Sequence, residues 1–349
     1  MSKQKVMLGM SGGVDSSAAA VVLLSQGYDV AGVTLSLCGN NDEKNSADSN
    51  NVCNKLGIPH FNADLKNEFN NFVISDFINQ YINGKTPNPC IECNRNIKFG
   101  KMIDIAEGCG YDKIATGHYV RIKKDENGRY LLLKATDLSK DQSYVLYMLT
   151  QEQLSRCVFP LGEFTKPQIR DIAQKSGLIN ADRPDSQDIC FVLDGDYADF
   201  IEKNSNFLSE PGNYVDVNGN VLGEHKGVIH YTIGQRKGLG IALGKPAFVI
   251  DKNSDTNCVV IGDEEHLFKK EIIVEKVNFI PFDELKQEMR VEAKLRYRHN
   301  PQPAMIIPVD KDKVKLIFDE PQRAPSPGQA AVFYDGDVVV GGGTIVSGK

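Results

Sequence analysis

With 349 residues, 41% of them apolar, the chain has material for two or three domains, each with its own core. It contains no run of about 18 consecutive apolar residues, no apolar export segment in the opening MSKQKVMLGM, and eight irregularly spaced cysteines, so neither a membrane span nor a secreted disulfide framework is expected. A cytoplasmic protein with reduced thiols is the expectation, and a formal net charge of −6 leaves nucleic-acid binding to local basic patches.

From residue 5 to about residue 200, short apolar runs alternate with helical patterns: KVMLGM, SSAAAVVLLSQG, YDVAGVTLSL, a helix ending near KLG, then IPHFNADL. That alternation predicts βαβ units and a parallel sheet. The polar segment at residues 39 to 51 reads as a mobile loop leading into a helix. DKIATGHYV predicts a further strand, and the ENG at residues 126 to 128 a turn. Thr165 and Gln168 form a capping box, with Pro167 in the first turn of a helix running to Gly177. Beyond about residue 205, NYVDVNGNVLG, AFVIDKNSDTNCVVIG and DGDVVVGGGTIV predict strands broken by Asn-Gly and Asp-Gly turns. A charged stretch from Asp263 to Glu275 suggests a boundary near residue 273. The expected organisation is an α/β domain over residues 1–204, a central mainly-β domain over 205–273 and a C-terminal β domain over 274–349.

The first chemical motif is GMSGGVDSS, Gly9 to Ser17. It follows an apolar strand and opens a helix, so its backbone amides and the positive helix end face the strand's carboxyl edge, where phosphate is the natural guest. It is neither a Walker A loop nor a dinucleotide fingerprint. An ordinary tight turn, with Asp15 or Ser16 as helix cap, would use the same residue types. The complete SGGVDS resembles the pyrophosphate-binding loop of the ATP pyrophosphatases, which implies ATP with Mg²⁺ held by Gly9, Met10, Ser11, Gly12, Gly13, Val14, Asp15 and Ser16.

TPNPCIECNRNIKF, ATGHYV, KDQSYVLY, DSQDICFV and HYTIGQRKGLGI, together with SGGVDSS, resemble the tRNA-specific 2-thiouridylase family along nearly the whole chain. The resemblance implies ATP-dependent replacement of the 2-oxygen of the wobble uridine of tRNA by sulfur, with release of AMP and pyrophosphate. It also implies a Rossmann-like nucleotide domain of the adenine nucleotide alpha hydrolase type, a small central domain and a C-terminal β-barrel. The partners it implies are tRNA and a sulfur-donor protein, either a cysteine desulfurase or a sulfur-relay carrier.

The residue types suit that chemistry. A uridine carbonyl is a poor electrophile until its oxygen is adenylated, and a cysteine persulfide is a directed carrier of the sulfur nucleophile. A second thiol can release the carried sulfur by forming a disulfide with the first. By resemblance Cys190 carries the persulfide and Cys93 is the other catalytic cysteine. Cys90 stands where the commonest family motif has Asp. The trio Cys90, Cys93 and Cys190 resembles the three-cysteine site of iron-sulfur-dependent thiolation enzymes, so a [4Fe-4S] cluster stays open beside the persulfide route. Cys38, Cys53, Cys109, Cys157 and Cys258 match no motif and are expected to be small buried hydrophobes.

Leu35 and Gly117 match positions that line the family's adenosine pocket. Asn88, Pro89, Cys90, His118, Lys140, Asp141, Gln142, Arg296, Tyr297 and Gln329 match its tRNA-contacting positions. His118 reads equally as a satisfied structural histidine, and Lys140 to Gln142 as a solvated helix start. Arg296 with Tyr297, taken to lie on a β segment, suits a backbone phosphate and a stacked base. Two other classes fit part of the pattern: an ATP pyrophosphatase acting on a small molecule, and a nucleotide-binding regulator without turnover. ATP/pyrophosphate exchange with and without tRNA separates all three.

Overall fold

The computed structural model describes residues 3–39, 42–178, 189–192, 195–241 and 243–348. The chain divides into two units, the first comprising residues 1–73, 90–190 and 336–340 and the second 74–89, 191–335 and 341–349.

In the first unit, strands β1 (Lys5–Gly9), β2 (Asp29–Ser36), β3 (His60–Asp64), β4 (Lys113–Ala115) and β7 (Cys157–Val158) form a parallel sheet in the order β3-β2-β1-β4-β7. Between β4 and β7 the chain makes an antiparallel hairpin of β5 (Val120–Lys124) and β6 (Tyr130–Lys134), turned by the ENG segment. The continuous apolar run of β1 buries Val6, Met7 and Leu8 completely, as a central parallel strand requires. Helix α1 (Val14–Ser25) presents Ala18, Ala19 and Ala20 to the same core, where they meet Val52 of helix α2 (Asp42–Leu56) and Ile169 of the helix Lys166–Lys175.

Helix α2 takes up most of the segment read as a mobile loop: it already begins at Asp42, where the acidic Asp42 and Glu43 of its first turn favour the positive helix end. The capping box before the helix Lys166–Lys175 is present, with Thr165 N donating to Gln168 Oε1 at 2.8 Å.

The strand order matters for the site. From β1 the chain moves outward to β2 and β3 on one side, then returns to β4 and β7 on the other. The sense of winding therefore reverses between β1 and β4, and the crevice at their carboxyl ends is the expected ligand position.

The second unit opens with the helix Ser75–Ile82, whose Phe77 meets Phe191, Tyr197 and Phe200 in an aromatic cluster. Strands β8 (Gly212–Val215), β9 (Val221–His225), β10 (Phe248–Asn253) and β11 (Cys258–Gly262) form a sheet in the order β10-β11-β8-β9. The remaining strands are β12 (Phe268–Phe279), β13 (Met289–Lys294), β14 (Gln302–Asp310), β15 (Lys313–Arg323), β16 (Ala330–Asp335) and β17 (Val338–Gly348). They run in the order β12-β15-β14-β13-β16-β17, and β17 pairs back onto β12 to close a barrel. Residue 273, the boundary suggested by the charged stretch, lies inside β12.

Closure explains the glycine run near the C-terminus. A Cβ on Gly341 would collide with the Asn278 carbonyl oxygen, and one on Gly343 would sit 2.6 Å from that of Glu275. Only glycine lets the two backbones approach at that seam.

Candidate nucleotide and thiol site

The loop after β1 is braced from within. Met10 N donates to Val33 O of β2 at 2.7 Å, and Ser11 N donates to Ser16 Oγ at 3.2 Å. Ser16 Oγ donates in turn to Gly13 O at 3.1 Å, and Ser17 Oγ to the same oxygen at 2.9 Å. These contacts consume the hydroxyls of the helix start and hold the backbone in place. Gly12 has φ +72, and Gly13 precedes α1 without a side-chain cap, so a ligand rather than a side chain can meet the positive helix end.

Met10 and Val14 are buried anchors, and Ser11 is exposed. Gly117, just past β4, approaches so closely that a Cβ would lie 3.1 Å from both the Asp15 carbonyl carbon and Ser16 N. Leu35 is half-buried near the end of β2 and pairs in register with Ala63. The segments after β1 and β4 thus meet at the switch point, with Leu35 near the end of the neighbouring strand.

Asp15 does not stand free at this helix start. Lys166 Nζ donates to both its carboxylate oxygens, at 2.7 and 2.8 Å, and Tyr119 Oη donates to Oδ1 at 2.7 Å. The Lys166 side chain is only 9% exposed and that of Asp15 30%. Lys166 escaped the motif reading, although its position carries a signal. It is the first residue of its own helix, where a cation opposes the helix dipole and calls for an acidic partner.

The cysteine motif lies on a distorted helix. Pro89–Glu92 is α-helical, Cys93–Lys101 is π-helical, and α-helix resumes over Met102–Gly108. Cys93 is 8% exposed, and burial pushes its thiol up to about 12 against the opposing charge of Lys98. Cys90 is exposed at the surface, yet desolvation still raises its thiol, again opposed by Lys98.

Cys190 behaves differently. A hydrogen bond from the Cys38 thiol, which outweighs the effect of burial, and then the charge of Lys98 bring it down to about 7. The same hydrogen bond pushes Cys38 far up, and the Cys38 thiol also lies 3.9 Å from the Cys190 carbonyl oxygen.

The expectation for the five unmatched cysteines therefore needs correction. Cys53 and Cys157 are buried and Cys258 is intermediate, but Cys38 and Cys109 are exposed. Cys38 comes to the surface because it stands two residues past the end of β2, outside the sheet. Lys98, five residues after Cys93 in the same motif, was also missed; it is the cation felt by Cys90, Cys93 and Cys190 together. The Asp185 to Asp188 part of DSQDICFV lies outside the described residues. Among the described residues, no group of three His, Cys, Asp or Glu side chains is arranged to hold a metal ion, so the thiols as placed do not form a ready ligand set for a cluster.

The positions matched to tRNA contacts fall into different environments. His118 is buried, accepts or donates at Nδ1 to Thr116 Oγ1 at 2.7 Å, and packs against Phe99; burial holds its ring well below the usual histidine range and thus neutral. Asp141 Oδ1 accepts from Ala135 N at 3.0 Å and its Oδ2 from Ser143 Oγ at 2.6 Å, while Gln142 Oε1 accepts from Tyr119 N at 2.9 Å. Both side chains pin the turn that carries Lys140. Asn88 is half-buried and Pro89 is buried at the start of its helix.

In the second unit, Arg296 and Tyr297 lie in the turn past β13 rather than on a strand. Arg296 donates to Ala324 O at 2.7 Å, and exposed Tyr297 has the Lys294 ammonium 5.6 Å from its ring centre. Gln329 Nε2 donates to Thr86 O at 2.8 Å.

No helix among the described residues is long and apolar enough to cross a membrane. Family models match three consecutive stretches: "tRNA methyl transferase HUP domain" over residues 4–194, "tRNA methyl transferase PRC-barrel domain" over 198–263 and "Aminomethyltransferase beta-barrel domain" over 269–345. A protein of Acetivibrio thermocellus named tRNA-specific 2-thiouridylase MnmA is 51% identical over 358 residues, covering 99% of this chain and 100% of its own. One of the same name from Clostridioides difficile is 52% identical, covering 98% of each chain. Among solved structures, a 4-thiouridine synthetase–RNA complex with bound ATP aligns with 54% of this chain and 45% of its own at 18% identity and a TM-score of 0.37. With half of all residues shared across the full length of such relatives, this chain belongs to the tRNA-specific 2-thiouridylase family.

Proposed function

We propose that this chain is a tRNA-uridine 2-sulfurtransferase: it uses ATP to adenylate O2 of the wobble uridine, then replaces that oxygen with sulfur from a persulfide on Cys190. The observation that carries the reading is the convergence at one sheet edge of an anion-binding loop after β1 with a surface thiol pair, Cys38 and Cys190, of which Cys38 follows β2.

Residues 9–16 hold the ATP phosphates against the positive end of α1, and the Gly117 approach keeps that loop in register. Magnesium, when bound, would neutralise charge on the phosphates; Asp15 is already engaged by Lys166 and Tyr119 and acts by fixing the helix start. When uridine O2 attacks the α-phosphorus, pyrophosphate leaves, and preorganised backbone donors stabilise the charge that develops.

At neutral pH Cys190 is substantially thiolate, which suits it to attack the sulfane sulfur of a donor persulfide. The donor's S–S bond breaks, the donor leaves as a thiolate, and Cys190 holds the sulfur. Cys93, protonated at that pH, stands by as a neutral thiol and proton source. The donor is a cysteine desulfurase or a sulfur-relay carrier, and the compartment is the cytoplasm, where thiols stay reduced. Arg296 and Tyr297 in the second unit supply a phosphate contact and a stacking face for tRNA.

ATP/pyrophosphate exchange measured with and without bulk tRNA tests the reading, together with nucleoside analysis of the tRNA for 2-thiouridine. Exchange that ignores tRNA, or thiolation that survives Cys190→Ser, would contradict it.

A further inference from the structure

The motif HYTIGQRKGLGI has no task in the chemistry above, yet the second unit builds it into a braced, cationic loop beside Arg296. Ile233 packs with Phe248, Leu267 and Ala324 in a small apolar cluster, which fastens the start of the loop to β10 and to the residue following β15. Gly234, with φ +90, comes so near the barrel that a Cβ on it would lie 3.1 Å from Ala324 Cβ, 3.6 Å from Arg323 Nη1 and 3.9 Å from Arg296 Nη2. Its N–H donates to Val249 O at 2.8 Å, and Val249 N donates to Gln235 O at 2.9 Å. The Gln235 side chain accepts from Thr232 N and donates to Lys237 O, both at 3.0 Å, and the hydroxyl of buried Tyr214 donates to Leu239 O. The backbone is thus pinned on both sides of Arg236 and Lys237, whose side chains are exposed.

The fold does not consume these two charges. Among the described residues neither pairs with a carboxylate, while Asp263 and Glu264 are engaged by Lys245 at 2.7 Å and Arg323 at 3.2 Å. Burial, and then the charges of Arg296, Lys294 and Arg323, hold His299 below the usual histidine range, so the field at this face is positive even with Glu264 present. A cavity of about 460 Å³ adjoins the loop, with exposed Arg236 and Lys245 and buried Leu239 and Ala247 in its lining.

We propose that Arg236 and Lys237 bind the sugar-phosphate backbone of tRNA, extending the surface of Arg296 and Tyr297 across the Gly234 junction. The proposal rests on the reading of tRNA as the substrate. An arginine fork matches two phosphate oxygens and a lysine supplies a point charge, and a pinned loop loses little freedom when it meets them. RNA rather than an acidic protein is the partner because the two cations continue the Arg296 face, and because the cavity sets apolar lining beside charge, as a backbone sets ribose beside phosphate. Such a contact positions the RNA without reading its bases.

The test measures binding of bulk tRNA to the full chain at several salt concentrations. Arg236→Ala and Lys237→Ala should each lower the slope of log affinity against log salt by about one unit, and the double variant by about two. Arg236→Lys keeps the charge and should keep the parent slope. Lys311→Ala is the control for net charge: Lys311 is exposed in the turn before β15, at the opposite end of that strand from Arg323, and its loss should leave the slope unchanged. Parent-like slopes in both alanine variants, or an equal fall in Lys311→Ala, would overturn the assignment. So would a double variant that keeps tRNA binding but loses binding of polyglutamate, since that outcome gives the loop to an acidic protein. A parent chain that binds tRNA without salt dependence would refute the tRNA reading itself, whereas a salt-dependent parent with unaffected variants removes this contact alone.

Discussion

Replacing Lys166 by Met removes one partner of a nearly enclosed ion pair while keeping the length of the side chain. Lys166 Nζ makes contacts of 2.7 and 2.8 Å to the two Asp15 oxygens, with its side chain 9% exposed. Stranding one charge of a fully buried pair costs about 3–5 kcal/mol. Here the Asp15 side chain is 30% exposed and Tyr119 still donates to it, so about 2 kcal/mol is expected after that discount. At about 2–4 °C per kcal/mol for a domain of this size, the melting temperature should fall by about 4–8 °C. Because the pair anchors the first turn of α1, pyrophosphate release should fall as well, by about 10²-fold for a displacement near 1 Å. Thermal melts and pyrophosphate release are measured on Lys166→Met, Asp15→Asn and the double variant. The double variant should recover much of the stability lost by Lys166→Met, since it strands no charge, but not the activity. A melting temperature for Lys166→Met within about 1 °C of the parent would show that the clamp does not hold the loop.

Reactivity of Cys190 toward iodoacetamide should rise through a midpoint near pH 7, because the thiolate is the nucleophile, and Cys38→Ala should move that midpoint upward; equal midpoints would refute the hydrogen bond as the cause. Cys90→Asp restores the commonest family residue, so thiolation should persist at near-parent rates after iron chelation; its loss, together with loss of broad visible absorption, would show that the thiols hold a cluster. His118 is neutral in the folded state and its folded pKa lies below the unfolded value, so stability is full above about pH 6.5 and falls below it by up to about 1.4 kcal/mol per pH unit. His118→Gln should flatten that slope in urea melts between about pH 6.5 and 5, and an unchanged slope would place its origin elsewhere. Arg296→Ala should weaken tRNA binding and reduce the salt slope by about one unit; matching slopes at several salt concentrations would confine Arg296 to bracing Ala324.

What the sequence determined by itself is what neighbouring residues decide among themselves. The βαβ alternation, the Gly9 to Ser17 turn opening a helix, and the Thr165–Gln168 capping box depend on contacts within a few residues, so their patterns are written locally. The helix ending near KLG is legible, but its first turns from Asp42 read as loop, because polar composition lowers mean hydropathy without preventing a helix that buries only Ser49, Val52 and Cys53. What only the tertiary structure decided are pairings across long stretches of chain. Lys166 reaches Asp15 over 151 residues, and Cys38 reaches Cys190 over 152. No periodicity or spacing rule connects such positions, since a parallel sheet brings the ends of distant strands together at one edge. The glycines at 341 and 343 show the same division: the sequence displays the glycine run, but the reason for it is the backbone of β12, which only barrel closure brings alongside. Burial decided the rest, because His118 and Cys93 have ordinary side chains whose charge states depend on how much water the fold leaves around them.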